Sequence, residues 1–291
     1  MEWKSLASSV ADWTIPPALQ RVIHKTVHGQ NGANPNRSYT TGAEVDAVLK
    51  RNQQFRNKHR GQRCFVLATG PSIREQDLRP LRKEWCIGVS EFYKHERYRL
   101  IKPAYYAFAA NHPPFTDDDM LRQLHEMKQQ SQNETFFFAL KDRTVAERSD
   151  LLSDWCQVHY IDFCKNWSLD TIDLTARVRS PCGAGFMATI IAIYMGFSEI
   201  YLVGCDHDHL WKWDGVTPFT RHNYYGHFYD GEPAMGYEPM DVDQELKSTL
   251  KTREEYKWAA RVAQRQGSRI YNANPRNYLG VVPRVSLAEL F

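Results

Sequence analysis

Apolar residues cluster along the chain in short runs that are rich in β-branched and aromatic side chains. These runs cover residues 63–68, 85–89, 104–109, 134–140, 158–161, 199–203 and 269–272. Between them, helical spacing predicts helices at 117–130, 184–195 and 244–266, the last with Glu254, Glu255, Arg261 and Arg265 on exposed faces. Strands that alternate with helices form parallel sheets covered by helices. The pattern therefore predicts an α/β fold with a Rossmann-like, mostly parallel sheet.

Two segments fall outside this alternation. Residues 1–60 lack the strand pattern and carry a turn-rich break at 29–36, so they are interpreted as a helical N-terminal appendage to a catalytic domain at 61–291. The apolar residues of this appendage, spaced from Trp3 to Ile23, can rest on a membrane, cap the domain or mediate oligomerisation. Residues 205–245 are dense in aromatic residues, histidine, glycine and proline without a sustained period. Long irregular segments of this kind are usually functional, and we predict an irregular lid over the site.

Composition narrows the classes of function. The 37 Lys and Arg residues against 34 Asp and Glu give a net charge of +3 without a long basic block, which does not indicate a nucleic-acid partner. The six cysteines are scattered, and no secretory signal pattern is recognised at the N-terminus. The longest nearly apolar run, 183–197, is shorter than the roughly 18–20 residues that cross a bilayer. These features predict a reduced, cytoplasmic protein, with peripheral membrane contact as an open alternative.

The first predicted strand runs directly into Thr69-Gly70-Pro71-Ser72. A glycine turn at the carboxyl end of a parallel strand lets backbone N–H groups approach a phosphate or a ribose, and ligands of such sheets bind at that end. The turn is neither a Walker loop nor a dinucleotide fingerprint. Because any α/β sheet needs a small residue at such a turn, a purely structural role stays open.

A second glycine cluster, Ser180-Pro181-Cys182-Gly183-Ala184-Gly185, precedes the apolar helix. Free N–H groups at the start of that helix can bind a phosphate, with Arg179 or Arg221 adding positive charge. The alternative is that Gly183 and Gly185 permit close packing of the helix on the sheet. The two roles are compatible.

Residues 206–209 read Asp-His-Asp-His directly after a predicted strand, which resembles a metal site. If the strand continues, the carboxylates and the imidazoles face opposite sides, so four ligands do not converge. A magnesium site that uses Asp206 and Asp208 with substrate phosphates stays open. Asp241 and Asp243 are interpreted as a solvated loop or as the cap of the next helix.

Five short motifs occur in a characteristic order between residues 63 and 275. They are Thr69-Gly70-Pro71-Ser72, Ser90-Glu91-Phe92-Tyr93, Asn111, the segment 196–206 that ends in Gly204-Cys205-Asp206, and Tyr225-Gly226-His227. With these motifs the chain resembles the bacterial sialyltransferases of glycosyltransferase family 42. The segment 183–206 also resembles a wider superfamily that includes archaeal pterin pyrophosphokinase-like proteins and flagellin-modifying proteins.

The resemblance implies a GT-A-type variant of the fold and a metal-independent, inverting reaction, with no cofactor. It implies that Thr69, Gly70 and Ser72, together with Ser90 and Asn111, contact a CMP-sugar donor and that His227 is the general base. Family members carry asparagine at the positions of Thr69 and Ser90. They also carry tyrosines shortly after the Gly-x-Asp motif, where this chain has His207, Asp208, His209, Trp211 and Trp213. Asp206 would then organise the site, with His207 or His209 near the leaving phosphate.

The same chemistry can be argued from the residues. A departing phosphate develops negative charge that hydroxyl, imidazolium or guanidinium donors stabilise without a metal. The attacking hydroxyl must lose a proton, which a histidine can accept near neutral pH. His227 lies beside Gly226 in an aromatic segment and is the predicted base; His222 is the second candidate. Asn274, which follows the last strand, is predicted to approach the cytidine.

The sequence thus predicts a transferase that moves a sialic-acid-like sugar from a CMP donor to a hydroxyl of a glycan or glycolipid. The predicted donor-binding residues are Thr69, Gly70, Pro71, Ser72, Ser90, Asn111, Gly183 and Asn274, and the predicted catalytic residues are His227, Asp206, His207 and His209. Relatives in the family form tetramers, so a homo-oligomer is a further expectation. The alternative functions are a magnesium-dependent diphosphokinase acting on a small alcohol and a nucleotide-binding module without chemistry.

Overall fold

The computed structural model describes residues 42–109, 116–130, 134–148, 157–165, 170–216, 226–229, 241–276 and 278–291. The chain divides into two units, Met1–Gly42 and Ala43–Phe291, of which the second is described below. Most of the predicted appendage, at 1–41, and much of the predicted lid, at 217–225 and 230–240, lie outside the described residues. The GT-A designation stays a prediction.

The centre of the protein is a seven-stranded sheet in which every neighbouring pair is parallel. Its strands are β1 (Arg63–Leu67), β2 (Trp85–Val89), β3 (Tyr105–Phe108), β4 (Thr135–Ala139), β5 (Gln157–Ile161), β8 (Glu199–Val203) and β9 (Arg269–Asn272). A separate pair is formed by β6 (Phe163–Cys164) and β7 (Val178–Arg179). The order in the large sheet is β5-β4-β3-β2-β1-β8-β9. The chain therefore extends the sheet from β1 to β5 in one direction and returns to the other side of β1 with β8.

The helices are α1 (Gly42–Lys50), α2 (Tyr98–Ile101), α3 (Asp117–Lys128), α4 (Arg143–Arg148), α5 (Ala184–Tyr194), α6 (His209–Lys212) and α7 (Val242–Arg265). Short 3-10 helices cover Arg51–Phe55, Pro71–Glu75, Arg79–Lys83, Phe92–Lys94, Leu140–Asp142 and Leu287–Leu290. Thr116 and Asp119 form a reciprocal capping box at α3. The Asp241 side chain caps α7 by accepting the N–H groups of Asp243 and Gln244, which is one of the two roles that the sequence left open for it.

The two faces of the sheet bury different side chains because residues alternate along each strand. Val66 and Leu202 point to a core that contains α5 and the second half of α7. Phe65 and Val203 point to the opposite core, which contains α2 and α3. The seven predicted strands and the three predicted helices are confirmed, with differences at their ends. Among the described helices, none combines the length and the hydropathy that a membrane span needs.

Residues 43–60 belong to the same unit as the sheet, although the sequence pattern placed them with the appendage. The Asn52 side chain is fully buried and donates to the carbonyl oxygens of Tyr160 and Leu174, at 2.8 Å each. Its amide oxygen lies 3.2 Å from His159 Nδ1, and Phe55 packs on the ring of His159. This segment therefore completes the core at the β5 edge of the sheet.

His159 makes the stability of this edge depend on pH. Burial lowers the pKa of His159 to about 4, from an ordinary value of 6.5. Between these values the unfolded chain binds a proton that the folded protein does not, so stability is lost as pH falls from 6.5 to about 4. We expect a loss of up to about 3 kcal/mol from this residue. Urea unfolding across that range should give a flatter pH dependence for His159→Gln than for the wild type; parallel curves would contradict the assignment.

Candidate active site

A cavity of about 320 Å³ opens at the carboxyl ends of β1 and β8, where the order of the sheet changes direction. Ligands of open α/β sheets bind at such switch points. The lining of the cavity comes from the turns after β1 and β8, from the start of α5, and from α7 and the segment around Tyr278. Gly226 and His227 border the cavity near the first turn.

The turn after β1 lies directly against the turn after β8. The Gly70 N–H donates to the Gly204 carbonyl oxygen at 2.9 Å. A Cβ at position 70 would lie 2.5 Å from that oxygen and 2.5 Å from Asp206 Oδ2. Gly204 has a φ of +72°, in the left-handed region that favours glycine. Glycine at both positions thus allows the two turns to meet.

Asp206 holds the first turn in place. Its carboxylate accepts the Ser72 N–H at 2.9 Å and also a short hydrogen bond from the Ser72 hydroxyl. The residue is 9% exposed, and this burial raises the pKa of Asp206, while the hydrogen bonds from Ser72 oppose the rise. Asp206 is therefore well suited to organise the site, as the family resemblance implies.

The next acidic residue has a different partner. Asp208 is buried, and its Oδ2 lies 2.6 Å from Lys212 Nζ on α6. His207, between the two carboxylates, has a φ of +50° and packs edge-on against the ring of Tyr256. Asp206, His207 and Asp208 all border the cavity. The chain thus leaves the strand at Gly204, and the simple in-and-out alternation considered for this stretch does not apply.

The contacts of Asp206 and Asp208 test the alternative in which these two carboxylates bind magnesium. Carboxylate oxygens are ligands that magnesium prefers. Both carboxylates already have protein partners, Ser72 for Asp206 and Lys212 for Asp208. Within the described ranges, no group of three or more His, Cys, Asp or Glu side chains is arranged to hold a metal ion. A magnesium site here would need ligands from the substrate and a new partner for Lys212.

The second glycine cluster begins α5. Gly183 is extended, with a φ of −178°, and its carbonyl oxygen accepts the Met187 N–H at 3.0 Å. A Cβ at Gly183 would contact nothing within 4 Å, whereas one at Gly185 would lie 3.0 Å from Cys205 Sγ. The packing interpretation therefore fits Gly185, and Gly183 stays available to a ligand.

Glu255 of α7 fixes the approach to this cluster. It is fully buried, and its Oε2 accepts the Cys182 N–H at 2.8 Å. Burial raises the pKa of the Glu255 carboxyl, which the hydrogen bonds from Cys182 and the charge of Lys251 partly offset. The prediction that Glu255 lies on an exposed face is wrong. Helical spacing placed it outward, but the turn at 181–183 covers this part of α7 and supplies a donor.

His227 is held at the first turn by two hydrogen bonds to Thr69, one from its own side chain and one from the backbone of the next residue. Its Nδ1 lies 3.0 Å from Thr69 Oγ1. The N–H of the next residue, Phe228, donates to the Thr69 carbonyl oxygen at 2.9 Å. The imidazole itself is exposed and stacks on the Tyr229 ring, with centroids 5.1 Å apart. These contacts bring a histidine from the predicted lid to the glycine turn, far away in the sequence.

Most of the described candidate residues converge on one cavity. Its lining includes Thr69, Gly70, Pro71, Ser90, Gly183, Asp206, His207 and His227. Ser72 lies behind this lining, bound to Asp206. Asn111, Arg221 and His222 lie outside the described residues, as does the His209 side chain.

Two predicted contacts differ from the structure. Asn274 does not border the cavity: it is 1% exposed, with Nδ2 donating to the Cys205 carbonyl oxygen and Oδ1 accepting the Gly204 N–H. It braces the turn after β8 from behind, because β9 pairs directly with β8. Arg179 lies in a separate groove with its guanidinium over the Trp258 ring.

Sequence reasoning missed the wall formed by α7. The residues of this wall are Glu245, Ser248, Thr249, Thr252 and Arg253, with Tyr278 and Leu279 beside them. The five residues of α7 follow the spacing of one helical face. The signal was present as a polar face at helical spacing, but helix faces were assigned from apolar residues, so these positions received no role.

Comparisons with known proteins give similar structures only. No family model matches the chain, and no curated protein matches it. The structure is similar to the sialyltransferase CstII from Campylobacter jejuni in complex with cytidine-5'-monophosphate, with 14% identity, coverage of 78% of this chain and 86% of that chain, and a TM-score of 0.46.

Two further complexes of that sialyltransferase are similar. One contains CMP-3FNeuAc, with 13% identity, coverage of 77% of this chain and 86% of that chain, and a TM-score of 0.42. The other contains a trisaccharide acceptor and CMP, with 12% identity, coverage of 77% of this chain and 86% of that chain, and a TM-score of 0.44. These neighbours are sialyltransferases, the class of protein that the sequence motifs resemble.

Proposed function

We propose that the protein is a glycosyltransferase that moves a sialic-acid-like sugar from a CMP-sugar donor to a hydroxyl of a glycan, with inversion at the anomeric carbon. The observation that carries the proposal is the contact of His227 Nδ1 with Thr69 Oγ1 at the glycine turn of the switch-point cavity. The sequence motifs that resemble family 42 support the choice of donor.

The nucleotide binds along the backbone of the two glycine clusters. Gly70 lets the first turn pack against the turn after β8, so that both line the donor cavity, and the N–H groups at the start of α5 attract the phosphate of the donor. Asp206 keeps the first turn in one conformation through its two hydrogen bonds from Ser72. His207 borders the same cavity and stabilises the charge that develops on the departing phosphate.

His227 acts as the general base. When Nδ1–H donates to Thr69 Oγ1, the lone pair of the imidazole lies on Nε2, which takes the proton of the acceptor hydroxyl. The acceptor oxygen forms a bond to the anomeric carbon as the bond from that carbon to the phosphate oxygen breaks. CMP leaves with the electron pair of the broken bond.

Calorimetry with CMP and with ATP, each in magnesium and in EDTA, tests the proposal against the diphosphokinase. We expect CMP to bind equally in both buffers, and CMP-N-acetylneuraminic acid to serve as donor to a lactoside acceptor. Binding of ATP alone, dependent on magnesium, would overturn the proposal and favour a metal site at Asp206 and Asp208. Binding of CMP without any transfer or donor hydrolysis would indicate a binding module.

Thr69 positions the proposed base, and its removal should affect the rate more than binding. We expect Thr69→Val to lower kcat about tenfold with little change in the donor KM, because a hydrogen bond to His227 is lost. Thr69→Ser keeps the hydroxyl and should restore most of the rate. Steady-state kinetics of sugar transfer measure both values. Equal kcat values for Thr69→Val and the wild type would contradict the positioning role.

A further inference from the structure

The cavity wall formed by α7 changes character along one helical face. In the second half of the helix this face is apolar, and Tyr256, Ala259 and Ala263 pack into the core over the sheet. In the first half the same face carries Glu245, Thr249 and Thr252, with Ser248 and Arg253 beside them. The change coincides with the cavity. The polar residues therefore occur where α7 borders open space instead of the core.

These polar groups form a connected surface. Thr249 Oγ1 lies 3.5 Å from Glu245 Oε1, and the Thr252 hydroxyl donates to the Ser248 carbonyl oxygen at 3.0 Å. Glu245 and Thr252 are buried, although a helix that only covered a cavity could use apolar side chains there at lower cost. Hydroxyl and carboxylate groups in this arrangement suit a ligand that carries several hydroxyls.

Arg253 adds one positive charge to this surface. Of the described residues that border the cavity, it is the one with a permanent positive charge. Its Nη1 donates to the carbonyl oxygens of Leu279 and Tyr278, which anchors the guanidinium beside the cavity. Elsewhere in the lining the charge of Asp208 is balanced by Lys212. An anchored guanidinium is the group best suited to a carboxylate.

We propose that Glu245, Ser248, Thr249, Thr252 and Arg253 form a subsite for an acidic, hydroxyl-rich sugar, with Arg253 on the carboxylate of the sugar. The inference rests on the proposed function and adds the part of the site that selects the sugar. Two sources have this chemistry: the sugar of the donor and an acidic sugar on the acceptor. The glycine turns bind the nucleotide, so the nucleotide and the acidic sugar contact different parts of the cavity lining.

Calorimetry with two probes separates the binding of the nucleotide from the binding of the acidic sugar. CMP contains no sugar acid, whereas CMP-3-fluoro-N-acetylneuraminic acid carries one on the same nucleotide. For Arg253→Met we expect the Kd of the fluoro sugar to rise tenfold or more, and for Thr249→Val about threefold. The Kd of CMP should stay within about twofold of the wild type. Thr249→Val is the cleaner variant, because Arg253 also braces residues 278 and 279.

Arg261→Met is the matched control, since Arg261 is exposed on the same helix and borders the other groove. It should behave as the wild type with both probes. Transfer kinetics with a neutral lactoside and with a sialylated lactoside form the second arm. An unchanged donor Kd with a higher KM for the sialylated acceptor alone would support the subsite and assign it to the acceptor.

Two results would overturn the inference. The first is that Arg253→Met and Thr249→Val both keep the Kd and KM values of the wild type, while the wild type binds CMP and transfers sugar. That result would leave the proposed function intact. The second is an equal loss of affinity for CMP and for the fluoro sugar, which would assign α7 to nucleotide binding or to general stability. If the wild type binds no CMP at all, the proposed function fails and the subsite fails with it.

Discussion

Replacement of His227 by alanine is expected to lower kcat for sugar transfer by a factor of about 10² to 10⁴, with CMP affinity within about twofold of the wild type. The imidazole lies at the first glycine turn through its contact with Thr69, and Phe228 holds the neighbouring backbone there. A proton acceptor acts on the chemical step and contributes little to the binding of the nucleotide. Transfer kinetics and CMP calorimetry on the same preparation measure the two effects separately.

Two further histidines make this test specific. His125→Ala removes an exposed histidine of α3 and should leave both values unchanged. His222→Ala removes the second candidate base, which lies outside the described residues, and should retain at least a tenth of the wild-type kcat. A large loss in His222→Ala with normal transfer by His227→Ala would reverse the assignment of the base. Normal transfer by both variants would exclude either histidine as the base.

Gly70→Ala is expected to lower the free energy of unfolding by about 3 kcal/mol and to weaken CMP binding at least tenfold. The new Cβ would lie 2.5 Å from both the Gly204 carbonyl oxygen and Asp206 Oδ2. One of these atoms belongs to the backbone and the other to a carboxylate bound by Ser72, so neither can move without disturbing the turn. Urea unfolding and CMP calorimetry measure the two effects.

Gly183→Ala is the matched control for stability, because it adds the same methyl group to a second glycine of the cavity. A Cβ there contacts nothing within 4 Å, and the extended backbone accepts any residue. The free energy of unfolding should be unchanged or up to about 1 kcal/mol higher, since alanine restricts the unfolded chain. Equal stability of the two variants would show that the contact at Gly70 is relieved by a small backbone shift.

The elements of the fold could be predicted because their signals are local. β1 and β8 are short apolar runs with a glycine within the next three residues, and α7 has a cap at Asp241 and a helical period throughout. β6 and β7 were missed, since strands of two residues show no period. For the same reason the first turn could be recognised as a binding element: Gly70 comes three residues after the end of β1.

The parts of the site that were misjudged depend on contacts between distant segments. Glu255 was assigned to an exposed face, but it accepts an N–H from Cys182 across 73 positions of sequence. Asn274 was assigned to the nucleotide, but its amide braces Gly204 and Cys205, because β9 lies beside β8. Neither contact has a sequence period, so neither could be inferred from local spacing.

The sequence by itself determined the seven strands of the large sheet and the three longest described helices, that the sheet is mostly parallel, and that the first glycine turn and Asp206 lie at the carboxyl ends of strands. Only the tertiary structure decided that β8 pairs with β1, which brings Gly70 against Asp206 in the lining of one cavity. It also decided that His227 reaches Thr69 and that a polar face of α7 lines the same cavity. Local periodicity sets secondary structure, whereas strand order and the pairing of distant segments depend on how the whole core packs.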